Sequence, residues 1–277
     1  MHFFRSLGVA GWAFRNALAQ MGKPALWVPF LVLAAAQLIG LGFFLSFHRP
    51  GIAAVALPLV TSVGGTEATH YPFFFAVLPT LFSRFNLVLG VVLGSLVTGA
   101  ATLLFARAYG RDVGAAWSGA ARRYLPLVLV AVVAAIVSLA GFFVGKLVPT
   151  ELFLTHQIAR WSIRFGMLAL FVVLQGLFVY ATAWVVLGGR GFLPALGGSV
   201  KMMGSMVIAT LCVMAVPVLA IYPLEYLTER ADLFLFKFRP ELLSVVLLAR
   251  IVAEIFLSFV LVGAVTRLFV WRREEVR

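Results

Sequence analysis

Charge and cysteine are both scarce in this sequence. Charged residues make up 12% of its 277 positions, about half the share of a soluble domain. The one cysteine, Cys212, sits in an apolar stretch. A single thiol closes no intramolecular disulfide and supports no cysteine-based metal box. Nucleotide signatures are missing as well. Gly188-Gly189-Arg190-Gly191 lacks the Lys-Ser/Thr that completes a phosphate loop and the strand that should precede one. His48, His70 and His156 have no partner at i+3 or i+4, so no metal site and no cofactor is expected. No Ser, His and acid arrangement emerges from spacing, and no catalytic residue is expected.

Apolar residues fill the space that charge leaves. They make up 63% of the chain, against about 45–50% in soluble proteins, and the mean hydropathy is +1.07. A soluble fold of this length could not hide so much apolar surface. The expected class is an all-α, polytopic transmembrane bundle. A span needs about 20 apolar residues, and six segments qualify: 25–47, 86–108, 124–148, 164–188, 205–226 and 246–271. The first is too long for a signal h-region and lacks a following cleavage pattern, so it reads as a retained helix. Pro217 and Pro223 should kink the fifth span, unless it ends near Tyr222. The tryptophans fall mostly near span ends, as interface anchors should.

The net charge of +12 first suggests nucleic acid, but the basic residues are scattered over span ends with no dense run. Membrane lipids, with their anionic headgroups, are the expected partners, and nucleic acid is not. Of the 22 Lys and Arg, 13 lie on the N-terminal side of the spans and 9 on the other. That bias puts both termini in the cytoplasm of a bacterial inner membrane.

The outer segment 48–85 is too apolar for a free loop. Its second part, 71–85, rich in aromatics and bounded by proline, reads as an interfacial or re-entrant helix. Counted as a seventh span, it would move the C-terminus to the opposite side. Residues 149–163 and Leu233 to Phe238 are also expected on the outer surface.

A loose repeat runs through residues 1–277, read as a single membrane domain. Gly8–Arg15, Val113–Arg123 and Phe192–Lys201 each form a short amphipathic, basic stretch before an odd-numbered span. The pattern suggests three hairpin units, 1–110, 111–190 and 191–277, each a surface helix followed by two spans. The stretch from Gly191 to Gly204, with Ala195-Leu196, Ser199 and Lys201, resembles one preceding the fifth span in bacterial six-helix families. These are the membrane domain of some glycerophosphodiester phosphodiesterases and the YciC-like inner-membrane proteins. The resemblance implies a helical membrane bundle. The phosphodiesterase's soluble catalytic domain has no counterpart here.

Four intramembrane polar residues are the candidate site. Glu254 lies in the sixth span with Arg250 at i−4 on the same face, where the two can pair. Counting back from Trp271 puts Arg250 near the outer headgroups and Glu254 one turn deeper. A carboxylate at the bilayer centre costs about 2.5–3.5 kcal/mol. The pair therefore either serves an ion, proton or substrate or fixes the helix's depth. Gln37 and Gln175 lie in the first and fourth spans, where interhelical hydrogen bonds are the default. Glu225, Glu229 and Asp232 cluster beyond the fifth span, as a cation site or a solvated face. Gly90, Gly94 and Thr98, with Ser95, make a stripe of small residues suited to close helix packing.

The function expected from all this is non-enzymatic: a subunit, scaffold or lipid-associated factor of a membrane assembly, with other membrane subunits as partners. The alternative is a transporter or channel for a small solute, lipid or proton, using Glu254, Arg250, Gln175 and Gln37. An intramembrane enzyme would need Glu254, His70 and His156 in one water-filled cavity.

Overall fold

The computed structural model describes residues 2–146 and 157–275 of the chain. His156, most of the 149–163 segment and the end of the third span lie outside them. Among the described residues there is no strand, and six helices are long and apolar enough to cross a membrane. The chain is therefore an all-α, multi-pass membrane protein.

The helices, in order, are α1 (His2–Ala19), α2 (Val28–Leu45), α3 (Pro50–Gly64), α4 (Phe74–Leu89), α5 (Ser95–Ala108), α6 (Ala116–Ala121) and α7 (Tyr124–Lys146). After the undescribed stretch come α8 (Gln157–Phe178), α9 (Ala181–Val186), α10 (Phe192–Ser205), α11 (Val207–Glu229), α12 (Ala231–Phe236) and α13 (Leu242–Glu275).

The expected interfacial helix at 71–85 is not a separate element. α4 continues through a π turn, Gly90–Gly94, into α5, giving one apolar helix of 35 residues. At 1.5 Å per residue it is about 52 Å long, well beyond the roughly 30 Å of hydrocarbon. Its first half packs against α3 and the end of α2. There Leu78, Phe82 and Phe74 meet Val60, Leu41 and Phe44, all buried. The run suggested an interface because it is aromatic and bounded by proline. Arg84 is exposed on the far face, and Pro79 lies inside the helix. The apolar stripe is thus continuous on the side that packs.

The N-terminal helix buries one face, with Gly11, Arg15 and Leu18 exposed on the other. Ala10, Ala13 and Ala17 are 3%, 0% and 0% exposed, packed in one cluster with Ala264, Val265 and Leu268 of α13. Small residues at i, i+3 and i+7 let two helix backbones approach. A Cβ added at Gly263 would stand 2.9 Å from Ala17 Cβ. Trp12 meets Trp271 edge-on at 6.2 Å, so α1 and the end of the last span share one end of the bundle.

The fourth span is broken. α8 stops at Phe178 and α9 starts at Ala181. Ser199 of α10, fully buried, serves the break: its hydroxyl accepts from Tyr180 N (3.2 Å) and donates to Leu177 O (2.7 Å). The Tyr180 hydroxyl meets Thr210 Oγ1 at 2.8 Å. The fifth span does not stop near Tyr222; α11 runs to Glu229 with Pro217 and Pro223 inside it. Cys212 is a free, half-buried thiol packed against the cluster around α1.

Candidate functional site

Three of the four candidate polar residues meet. Arg250 Nε donates to Glu254 Oε1 at 2.7 Å, the pairing that i,i+4 spacing predicts. Gln37 Nε2 of α2 donates to Glu254 Oε2 at 3.0 Å. Arg250 also reaches the next helix, donating through Nη2 to Glu225 Oε1 at 3.3 Å. The network ties the first, fifth and sixth spans. Both Glu254 oxygens accept a hydrogen bond, and the guanidinium serves two carboxylates. Such mutual satisfaction offsets the cost of holding these groups away from water.

Gln37 is close to the middle of Val28–Leu45, whereas Glu225 lies near the end of Val207–Glu229. α13, which carries Arg250 and Glu254, is 34 residues long, about 51 Å.

Gln175 belongs to a different place. Its Nε2 donates to Ser138 Oγ at 2.6 Å, and Ser138 donates to Ala134 O at 2.7 Å, joining α8 to α7. Gln175 lines a cavity of about 220 Å³ among the second to sixth spans. Gly90, Gly94, Ser95, Thr98, Thr102 and Thr182 line it too, with Leu127, Val130, Phe178, Met214 and Val265 as apolar walls. A Cβ at Gly90 would meet nothing within 4 Å, and one at Gly94 only its own helix's Leu89 O at 3.7 Å. The close approach on this helix falls instead at Gly99, whose Cβ would stand 2.7 Å from Leu127 Cδ1.

No charged residue lines the cavity. Ser95 and Thr102 donate their hydroxyl protons to Val92 O (3.2 Å) and Thr98 O (2.8 Å), so their oxygens are left as acceptors. The wall at Gly90–Gly94 is the π turn, an irregularity that often accompanies functional sites in helices. An apolar volume with a few hydroxyls and an amide, and no charge, suits a neutral amphiphile and disfavours an ion, whose desolvation nothing would offset.

Comparison with known families, curated proteins and solved structures finds no match.

The remaining candidates stay apart. His48 and His70 are both exposed, and no group of three His, Cys, Asp or Glu among the described residues is placed to hold a metal. Glu229 is exposed, while its neighbour Glu225 turns to Arg250; the side chain of Asp232 lies outside the described residues. Two partnerships were beyond sequence reasoning. Glu225 read as part of an outer acidic cluster, and nothing in its spacing pointed to Arg250, 25 residues on. Ser138 carried no signal at all until α7 and α8 were seen side by side.

Proposed function

We propose that this chain is a non-enzymatic, lipid-associated protein of a bacterial inner membrane, with both termini in the cytoplasm, which holds a neutral, hydroxyl-bearing lipid in its central cavity. The observation that carries this reading is the uncharged, hydroxyl-lined cavity among five of the six spans. Its volume of about 220 Å³ exceeds the roughly 150 Å³ apolar cavity that takes up benzene in an engineered protein. It would accept a hydroxyl head and the first part of one chain rather than a whole lipid. The Ser95 and Thr102 oxygens would accept from the lipid hydroxyl. The orientation rests on the bias of basic residues toward the N-terminal side. The bundle is of the kind implied by the resemblance of residues 191–204 to six-helix bacterial families.

Transport through Glu254, Arg250, Gln175 and Gln37 as one path is less well supported. Gln175 bonds to Ser138 while the other three bond one another.

The test is the lipid content of the chain extracted in native nanodiscs, wild type against Thr98→Leu, which would fill the cavity. A stoichiometric neutral lipid in the wild type, lost in a variant of unchanged thermal stability, supports the reading. Lipid of bulk composition in both would refute it.

A further inference from the structure

A second cavity, of about 180 Å³, lies where the second, fourth and sixth spans end together. It is lined by Arg111 and Asp112 beyond α5, Leu187 beyond α9, and Phe269, Val270 and Arg273 of α13. The loops here are rich in arginine, and most of these arginines are committed to helix-end carbonyls or to neighbouring carboxylates. Arg107 donates to Val113 O (2.9 Å) and Gly114 O (2.7 Å). Arg123 donates to Val185 O at 3.0 Å. This caps the end of α9, where Gly189 takes a positive φ of 70° and Arg190 N returns to Trp184 O. Arg272 pairs with Glu275 at 3.0 Å.

Two guanidiniums, those of Arg273 and Arg111, line the cavity itself. Arg273 lies over the Trp184 ring at 4.9 Å and over Phe269 at 5.6 Å, which orients it along an apolar wall. Among the described residues, the Arg111 guanidinium is held by Glu274, at 3.2 Å, and that carboxylate is 53% exposed. An ion pair so exposed is worth at most about 1 kcal/mol. The Glu274 carboxylate is thus an easily displaced anion seated at the mouth of a basic pocket. With Glu274 swung out, the Arg111 guanidinium is left on the cavity beside Asp112 and Arg273. The apolar wall formed by Leu187, Phe269 and Val270 runs beside them at the ends of three spans, the depth of lipid headgroups.

We propose that this pocket binds the phosphate of an anionic phospholipid headgroup between Arg111 and Arg273, displacing Glu274, with the glycerol portion against Leu187 and Phe269. Guanidinium–phosphate pairs are charge-assisted and directional, and the apolar wall adds contact that a free phosphate ion cannot use. The site is independent of the central cavity: it uses other residues and takes a charged rather than a neutral lipid.

The experiment measures binding to the full chain in detergent micelles by native mass spectrometry. The probes are phosphatidic acid, phosphatidylglycerol, phosphatidylcholine and inorganic phosphate. The anionic lipids should bind more tightly than phosphatidylcholine, and Arg111→Gln or Arg273→Gln should each weaken them about tenfold, the worth of one charge-assisted hydrogen bond. Arg122→Gln, an exposed position on the same face, should leave binding unchanged. Glu274→Gln removes the competing anion and should tighten binding. Glu275→Gln makes the same charge change outside the pocket and should not. Inorganic phosphate binding as tightly as the lipids, with the same pattern across variants, would support the phosphate site and make free phosphate its ligand. Equal effects of Glu274→Gln and Glu275→Gln, or of Arg111→Gln and Arg122→Gln, would overturn the proposal by reducing it to general surface charge.

Discussion

The Arg250–Glu254 pair gives a quantitative test of how the bundle tolerates charge. The Arg250 side chain is 19% exposed and that of Glu254 27%, at 2.7 Å. Exposed pairs contribute up to about 1 kcal/mol, while breaking a fully buried pair costs about 3–5 kcal/mol. A pair of intermediate burial should therefore couple by about 2 kcal/mol in a double-mutant cycle. The two single changes should be unequal. Arg250→Gln leaves Glu254 and Glu225 as two neighbouring carboxylates with no counter-ion, and should cost about 3 kcal/mol. Glu254→Gln leaves Arg250 still paired with Glu225 at 3.3 Å, and should cost about 1–2 kcal/mol. The assay is reversible unfolding in mixed micelles by rising SDS, followed by tryptophan fluorescence, for both single variants and the double. Equal single costs, or a coupling below about 0.5 kcal/mol, would refute the view that burial makes this pair matter.

Other outcomes follow from the packing. Ser199→Ala strands Tyr180 N–H and Leu177 O at the break in the fourth span, and should cost about 1–3 kcal/mol in the same unfolding assay; Ser199→Thr, which keeps the hydroxyl, should cost less. Gly263→Val drives a side chain into Ala17 and Phe105, each 2.9 Å from the first added carbon. It should cost about 1–3 kcal/mol and expose the α1 backbone to hydrogen exchange. Burial raises the pKa of the Tyr109 phenol, against a smaller lowering by Arg267. Its folded pKa exceeds the unfolded value of about 10, so its contribution is complete below that pH and lost as pH rises further. An ultraviolet titration should find Tyr109 still protonated where exposed tyrosines have ionised, a late-titrating fraction that Tyr109→Phe reduces.

The transmembrane class was legible because hydrocarbon imposes a length and a composition that nothing else in the chain imitates. The pairing of Arg250 with Glu254 was legible because i,i+4 spacing fixes it within one helix. Contacts between helices were not. Gln37 finds Glu254 across 217 residues, and Gln175 finds Ser138 only because α7 and α8 lie side by side. The stripe Gly90, Gly94 and Thr98 could be read as small residues, but whether small residues admit a neighbour or leave a cavity depends on what faces them. The helix from Phe74 to Ala108 was read as two pieces because prolines bound its aromatic first half, but Pro79 lies inside one continuous helix that packs against α3.

The most direct test of the central cavity is cryo-electron microscopy of the chain in native nanodiscs, with density examined between Thr98, Gln175 and Val265. The account predicts an elongated density continuous with hydrocarbon, its head within hydrogen-bonding distance of the Ser95 or Thr102 hydroxyl. A file of discrete water-sized densities crossing the cavity would contradict it and make the cavity part of a hydrated path.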